Sequence, residues 1–524
     1  MVQVSRGEGV TTPANSSLPE AKLISIAMQS PELEKARSQG HRIAMCHGVF
    51  DLLHPGHLRH LASAKAMADV LVVSITADHF VNKGPGRPAF NESLRAEALA
   101  SLVAVDYVVI TPDATALPAI DLVRPDFYVK GGDYADESSD ATGNIRRERE
   151  LVESFGGRLF HTDEVVFSSS HLINQYLPQH SEAATEWLSR LRDNYSIEDV
   201  VGWLDRIAEL RVVVVGETII DAYTQCEALG KSSKDPVLCF SRGDSVEHAG
   251  GILAIAGHCR GLGANTTVVT GINRVDESGA GLIRLRERGV RVRWVDTHPQ
   301  PTIRKERLID ARTGTRVLEL YDMNDEPLPA ASEQALLEQL CQAAAEADVM
   351  VVADYGHGLL SDAVVQGLAK LPVFLAVNTQ TNAGNRGFNS ISRYSRADFV
   401  TLNGAEARLE VRRRHVDLNE FIPELRGRLG AWGALVTLGG DGLDLYTQDA
   451  GVSHAPALAP FVRDRVGAGD ALLSVTALLA AVQAPPELIG FLGNLVGAWA
   501  VSFIGNEQTL DRGTLARQVK STLK

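Results

Sequence analysis

Two short stretches of this chain concentrate residues able to handle phosphate. The first is CHGVFDLLHPGHLRHLASAK, Cys46 to Lys65. Gly48 permits a tight turn after an apolar strand, and Gly56 permits close approach of the backbone to a ligand. A helix opening near His57 points its free N–H groups and the positive end of its dipole at that turn, which makes an anion site. His54 and His57, three residues apart, add ring N–H donors there. Two imidazoles so placed suit the phosphates of a nucleoside triphosphate, where they can stabilise charge that builds on the α-phosphate during transfer. An HxxH pair by itself marks nothing more than a helix start, so the weight lies on the whole string. The second stretch is VRDRVGAGDALLS, Val462 to Ser474, where Asp470 follows Gly467-Ala468-Gly469 directly. A carboxylate after a glycine turn is also a common helix cap.

Positioning such groups takes strand ends and helix starts, and the surrounding pattern supplies both. In the first third, apolar runs of strand length lie at Ile43–Cys46, Val70–Ile75, Tyr107–Ile110, Phe127–Val129 and Arg158–His161. Helical patterns such as His57–Met67 and Leu94–Leu102 fill the gaps. Strands alternating with helices predict parallel pairing in a doubly wound sheet, and runs like VLVVSI fit a sheet covered on both faces. A fresh strand at Arg211–Glu217 opens a second α/β series. Its further strands are expected at Thr267–Thr270, Val290–Val295, Val349–Ala353, Val373–Val377, Phe399–Leu402 and Ala434–Leu438.

With 524 residues the chain exceeds what one core supports. The expected division is a disordered tail over 1–21, a first domain over 22–178, linker and lead-in helix over 179–209, and a second domain over 210–524. A formal net charge of −14 repels a nucleic-acid backbone, which excludes general nucleic-acid binding. Five scattered cysteines without CxxC spacing point to reduced thiols in a cytoplasmic protein, and Cys46 reads as a small strand residue. The richest apolar run, Ala471–Ala484, is interrupted by Ser474, Thr476 and Gln483 and reads as a buried helix, so no membrane partner is expected.

The Cys46–Lys65 string resembles the GxFDxxHxGH signature of the nucleotidyltransferase family that includes cytidylyltransferases and adenylyltransferases. Val49 and Phe50 fall inside it. The resemblance implies a Rossmann-like domain in which Lys83 and Arg95, within NKGPGRPAFNESLRAEALASLVAVDYVVI, contact phosphates. RPDFYVKGGDY is similar to a stretch of the sugar-phosphate members, and it sets Lys130, Gly132 and Asp133 at a phosphate or ribose site. FSSSHLIN resembles the family's serine turn, which implies contact of Ser168, Ser169 and Ser170 with the triphosphate.

Residues 211–524 resemble the ribokinase-like carbohydrate kinases. On that resemblance Gly467, Ala468 and Gly469 form an anion hole, and Asp470 is the base that takes a proton from the sugar hydroxyl. Asp221 in VVVVGETIIDAY and Gly250-Gly251 in HAGGILAIAGHCRGLGA fall at the sugar side. VADYGHGLL resembles a family segment around Asp354. Asn403 and Glu406 in TLNGAEARL are tied to Mg²⁺ and phosphate, with no direct metal-ligand motif beyond Glu406. Thr437, Gly439 and Gly442 in VTLGGDGLDLY fall on the nucleotide side. The chain departs from the family's pattern in four places. Ala254 replaces an Asn, Val466 and Arg465 replace threonines, and NTQTNAGNRGFN (Asn378–Asn389) replaces a DPKG-like stretch, with Arg386 as its charge.

Together the resemblances imply a bifunctional enzyme of nucleotide-sugar synthesis. It would use ATP and an NTP with Mg²⁺, phosphorylate a sugar or sugar phosphate, and then form an ADP-heptose-like product. The precedent, a bifunctional heptose kinase and adenylyltransferase family, runs kinase first, so the order here is reversed. The alternative is a cytidylyltransferase making a CDP-polyol or CDP-sugar beside a non-catalytic kinase fold. Ribokinase-like proteins are often dimers, which implies a homodimer. The sugar, the base of the NTP and the anomer stay open at this level.

Overall fold

A computed structural model describes residues 22–25, 30–81, 87–131, 144–162, 180–277 and 279–523. The expected tail 1–21, and Lys83, Gly132, Asp133, Ser168, Ser169 and Ser170, lie outside the described residues. The chain divides into two compact units, the first running to Pro178 and the second from Gln179.

Among the described residues the first unit has six parallel strands: β1 (Leu23–Ile24), β2 (Ile43–Gly48), β3 (Val70–Thr76), β4 (Tyr107–Thr111), β5 (Phe127–Gly131) and β6 (Arg158–Thr162). Their order in the sheet is β1-β4-β3-β2-β5-β6, and every pairing is parallel. Both faces are covered. Leu71, Val73 and Ile75 of β3 enter one apolar cluster while Val70 and Val72 enter the other, which is why that strand is apolar throughout. The order reverses between β2 and β5, and the crevice at the carboxyl ends of two such strands is where doubly wound sheets bind ligands.

The described residues of the second unit hold thirteen strands. They are β7 (Arg211–Gly216), β8 (Thr218–Lys231), β9 (Leu238–Gly251), β10 (Asn265–Ile272), β11 (Arg291–Asp296), β12 (Ile303–Asp310), β13 (Arg316–Asp322), β14 (Val349–Asp354), β15 (Phe374–Thr379), β16 (Phe399–Asn403), β17 (Gly433–Thr437), β18 (Leu443–Thr447) and β19 (Gly451–Ala455). Nine form a sheet in the order β11-β10-β7-β14-β15-β16-β17-β18-β19, and four form a smaller one in the order β13-β12-β8-β9. The large sheet is parallel as far as β17 and closes with two antiparallel strands. Alternate residues of β7, Val212 and Val214 against Val213 and Val215, again serve opposite cores. The smaller sheet has no counterpart among the expected strands.

The stretch 179–209, read from sequence as linker and lead-in helix, holds two helices, Glu182–Asn194 and Ile197–Ala208, capped by Ser181 and Ser196. Their residues Trp187, Leu188, Leu191, Val200, Leu204 and Ile207 pack into the second unit's main core. Among the described residues no helix is long and apolar enough to cross a membrane. The apolar run from Ala471 lies in a helix, Ala468–Ala481, that is buried along almost its whole length.

Candidate active sites

In the first unit β2 ends at Gly48, and the chain turns through Phe50, which has φ of +49°. That left-handed conformation is costly for a bulky residue, and such strain collects at functional turns. The Phe50 ring packs over Gly48, where an added Cβ would meet it at 3.2 Å. His54 is the N-cap of the helix Pro55–Ala66, with Pro55 at its first position. The His54 and His57 rings stack with centroids 3.9 Å apart, and Phe50 leans on His57 at 5.2 Å. Both imidazoles therefore sit together at the helix start, His54 buried and His57 half-buried, with half-buried Gly56 between them.

Asp51, within the same motif, works on the protein itself. Its Oδ1 accepts from the N–H groups of Ala89 and Phe90 at 2.6 and 3.2 Å, and its Oδ2 accepts from Arg87 at 3.1 Å. Arg95 is fully buried and acts as a brace. Its guanidinium donates to the carbonyls of Phe90, Val49 and Thr76 and to the Asp78 carboxylate. Four of its five donors are thus spent on the Val49 turn and its neighbours, which differs from the phosphate contact implied by the resemblance. Lys130 lies at the end of β5, 3.0 Å from the Glu148 carboxylate, which Tyr128 also reaches at 2.8 Å. Glu148 went unnoticed in the sequence, because a carboxylate that serves a distant strand end carries no local signature. Asp51 stands in the quoted signature, without its role in holding Ala89 and Phe90 being legible there. Cys46 is buried in β2, and burial pushes its thiol up to about 12, so it has no nucleophilic character.

In the second unit the chain leaves the large sheet after Gly216, whose φ is +146° and where a Cβ would lie 2.1 Å from the Ala353 carbonyl. It then enters the smaller sheet, which carries Asp221 on β8. Asp470, in the first turn of the helix Ala468–Ala481, accepts a hydrogen bond from the Tyr355 hydroxyl at 2.9 Å. Gly467 caps that helix with φ of +80°, and nothing stands within 4 Å of the place a Cβ would occupy at Gly469. The result is a helix N-terminus facing open space, half-buried at Ala468, with a carboxylate inside its first turn. Burial raises the Asp470 carboxyl to about 7, with the Tyr355 bond opposing and the Asp221 charge adding to the rise. A carboxyl poised there is suited to exchange a proton near neutrality.

Asp221 accepts from Arg307 at 2.5 Å and from the Asn506 amide at 3.1 Å. Gly250 leaves it room, since a Cβ there would lie 2.2 Å from its Oδ2. Gly251 starts the next helix with φ of +53°. Asn506 also abuts Gly467, where a Cβ would meet its Oδ1 at 2.2 Å, so one amide spans the Gly467 turn and Asp221. Lys305 is buried directly across β8 and β12 from Asp221. Burial lowers its pKa, and the charges of Asp221, Glu217 and Asp470 act against that. Tyr355, Asn506, Lys305 and Arg307 were missed in the sequence. The last two lie on a strand of the unexpected smaller sheet, and only alternation of charge along KERLID hinted at it.

The departures from the kinase pattern acquire roles. In the Asn378–Asn389 stretch, Asn382 and Asn385 donate to the Tyr355 carbonyl at 2.7 and 2.9 Å, and Asn389 donates to the Asp354 carbonyl at 2.7 Å. These amides lock the turn that presents Tyr355 to Asp470, while Arg386 is exposed with φ of +49°. Beside Arg465 and Val466, Asp464 accepts from the N–H groups of Val466 and Gly505 and pairs with Arg316. Buried Asp354 takes hydrogen bonds from Tyr394 and Asn389, and Glu217 takes the N–H groups of Tyr355 and His357. Burial, then the Asp354 charge, pushes Glu217 up to about 7.

Asn403 and Glu406 form a capping box on the helix Gly404–Val411. Both Glu406 oxygens accept backbone N–H groups, from Asn403 at 2.8 Å and Thr381 at 3.0 Å. Glu406 therefore does not fit the part of a direct metal ligand. Thr437 ends β17 half-buried, and Gly439 and Gly442 shape the turn after it with φ of +65° and +97°. At Gly442 a Cβ would collide with the Ala455 carbonyl at 2.1 Å.

The large α/β sheet of the second unit thus leads to an open helix N-terminus with a buried carboxylate in its first turn. The pfkB family carbohydrate kinase model matches residues 209–511, more than half of the chain, and the protein belongs to that family. The first unit is a cytidylyltransferase-like domain, matched over residues 45–175. A bifunctional protein HldE of Syntrophotalea carbinolica is 39% identical over 153 residues, 29% of this chain and 30% of the relative. A bifunctional protein HldE of Bradyrhizobium is 45% identical over 129 residues, 24% of this chain and 25% of the relative. These matches fall in the N-terminal part, so the chain spans about a third or less of the length of the curated relatives it matches. A ribokinase of Thermotoga maritima is 17% identical, with a TM-score of 0.47 over 59% of this chain and 99% of that one.

Proposed function

We propose that the second unit transfers the γ-phosphoryl group of ATP to a sugar or sugar phosphate, and that the first transfers a nucleotidyl group from an NTP to a sugar phosphate. The observation that carries the kinase step is the buried Asp470 at an open helix N-terminus, hydrogen-bonded to Tyr355 and close in charge to Asp221. The sugar hydroxyl oxygen attacks the γ-phosphorus, the bond to ADP breaks, and Asp470 takes the hydroxyl proton. The N–H groups behind Gly467 and Gly469 meet the charge on the migrating group. In the first unit a sugar phosphate oxygen attacks the α-phosphorus and pyrophosphate leaves. His54 and His57 stabilise the charge, and no covalent intermediate is needed.

Mg²⁺ accompanies both nucleotides on this reading, held by phosphate oxygens. Among the described residues no cluster of three metal-ligating side chains occurs, and Glu406 is committed to its helix cap. The product suggested by the motifs is ADP-heptose-like, and the bifunctional relatives support two activities in one chain. A second reading, with CTP as donor, is favoured by the cytidylyltransferase-like match. Pyrophosphate release by the full chain, with each NTP against sugar 1-phosphates and polyol phosphates, decides between them. Release with ATP and a heptose 1-phosphate supports the first reading, release with CTP alone replaces it, and release with no pair ends the transferase assignment. A homodimer remains part of the proposal. Exposed Leu229, Leu238, Val246, Leu318 and Leu320 on the smaller sheet favour it, and sedimentation of the full chain tests it.

The Asp470 carboxyl near 7 sets a pH dependence. As the base it must be ionised, so kcat/KM of the kinase step is expected to fall as pH drops through about 7 and to level off above it. The Tyr355 hydroxyl stabilises the carboxylate, so Tyr355→Phe should move the inflection upward. A pH profile of ADP formation checks both. A flat profile across neutrality, in the wild type, would remove Asp470 from this role.

A further inference from the structure

We infer that Glu217 is a positioning residue for the kinase step, its carboxylate clamping the turn that holds the Tyr355 hydroxyl on Asp470. The inference rests on the kinase reading of the second unit, and it adds to that site a group that acts through Tyr355 and carries no proton in the reaction.

Both oxygens of Glu217 are committed to one turn. One accepts from the N–H of Tyr355 at 3.1 Å and the other from the N–H of His357 at 3.0 Å. The buried Tyr355 side chain then donates its hydroxyl to Asp470 at 2.9 Å. The carbonyl of Tyr355 is fixed as well, by the amides of Asn382 and Asn385. Gly356 turns between the two N–H groups with φ of +71°, and a Cβ there would meet that of Asn389 at 2.7 Å. A buried carboxylate is costly unless its oxygens find donors, and buried Asp354 of β14 adds a like charge. An apolar side chain would fill the place without that cost, but it would leave the N–H groups of Tyr355 and His357 buried without an acceptor.

The backbone of Glu217 ties this clamp to the smaller sheet. The residue lies where the chain passes from β7 of the large sheet to β8 of the smaller one. Its carbonyl faces the return of β9, since the Ile252 N–H approaches it at 3.5 Å and a Cβ on Gly251 would lie 2.9 Å from it. The residue that aims Tyr355 is therefore also anchored at the root of the sheet that carries Asp221.

The groups around the two carboxylates make the sign of a pH shift informative. Asp470 takes its hydrogen bond from Tyr355 and faces Asp221 of β8 and Lys305 of β12. Glu217 faces Asp354, Lys305 and Tyr394. Loss of the Tyr355 bond raises the Asp470 carboxyl, because that bond stabilises its charged form. Loss of a nearby negative charge would act in the opposite direction.

The test compares wild type, Glu217→Gln, Tyr355→Phe and the double variant, each as the full chain, by ADP formation with ATP and a panel of sugars and sugar phosphates. Glu217→Gln keeps the size of the side chain and one acceptor oxygen, but turns an NH₂ group toward the second N–H. It is expected to lower kcat about 10–100-fold, the scale for a small misplacement of a catalytic group, with the KM for ATP held. The acid inflection of kcat/KM should move upward, as in Tyr355→Phe. E217Q/Y355F should be no slower than the slower single variant, since both changes remove the same contact. A downward shift would make Glu217 a purely electrostatic group, and an unmoved inflection a purely structural one; either result overturns the inference. Where Glu217→Gln does not fold, Glu217→Asp, which keeps the charge at shorter reach, should give the same upward shift. If the wild type phosphorylates no acceptor, the kinase reading fails, and the clamp is then read from hydrogen exchange of the peptide that spans Tyr355 and His357. Faster exchange in Glu217→Gln sustains the clamp, and unchanged exchange overturns it.

Discussion

Asp470→Asn in the full chain is expected to lower the kinase rate by about 10²–10⁴-fold, with pyrophosphate release by the first unit unchanged. The amide keeps the volume of the side chain and can still accept from Tyr355, whose hydroxyl lies 2.9 Å from the carboxylate, but it cannot take the acceptor's proton. A fall in activity through unfolding is separable from this. The native carboxyl has its pKa raised from 3.8 to about 7 by burial. The folded state therefore holds a proton that the unfolded state has released, and the group's cost to stability grows as pH rises from about 4 to 7. Above that window the charged form is the one the fold disfavours. The substitution removes that charge, so the thermal midpoint of the variant at pH above 7 should match or exceed the wild type. A kinase rate within a few-fold of wild type, with that midpoint preserved, would falsify the role of Asp470.

His57→Ala is expected to cut nucleotidyl transfer by roughly 10²–10³-fold in kcat, the scale for losing one preorganised donor at a developing charge. The kinase step should stay intact. His57 is half-buried at a helix start and its ring stacks on His54, so the change also removes that stacking contact. His57→Gln, which retains a donor of similar reach, should recover part of the rate if hydrogen bonding to phosphate is the role. If it recovers nothing, the ring stack is the better account. The measurement is pyrophosphate release under saturating NTP, with ADP formation from the second unit as the internal control. Loss of both activities from a folded protein would show that the two sites are not independent.

Much of the fold was legible locally. The inner strands of both large sheets, such as β2, β3, β7 and β14, are present as expected because they are apolar runs between helices and buried on both faces, while the expected edge strands β6 and β11 are only partly buried. Parallel sheets write themselves into sequence in this way. The smaller sheet did not. β9 is exposed along most of its length and β13 almost entirely, so neither a continuous apolar run nor a clean alternation marks them. The stretch 179–209 was legible as linker and one lead-in helix, but neither its second helix nor its docking into the second unit's core was, since an amphipathic face does not name its partner.

The candidate sites divide along the same line. Local sequence determined the features that need only a few neighbouring residues: the turn at Gly48, the stacked pair His54 and His57 at a helix start, the Gly467 cap and Asp470 in the first turn behind it. Each follows from backbone geometry and helix polarity within one short segment. Tertiary structure alone decided what those groups face. It turned Arg95 inward onto Val49, gave Glu406 the N–H of Thr381, and brought Tyr355, 115 residues away, onto Asp470. It also carried Asn506 to Asp221 across 285 residues. A side chain's pKa and partners depend on burial and on charges from other elements, and no spacing along the chain encodes them.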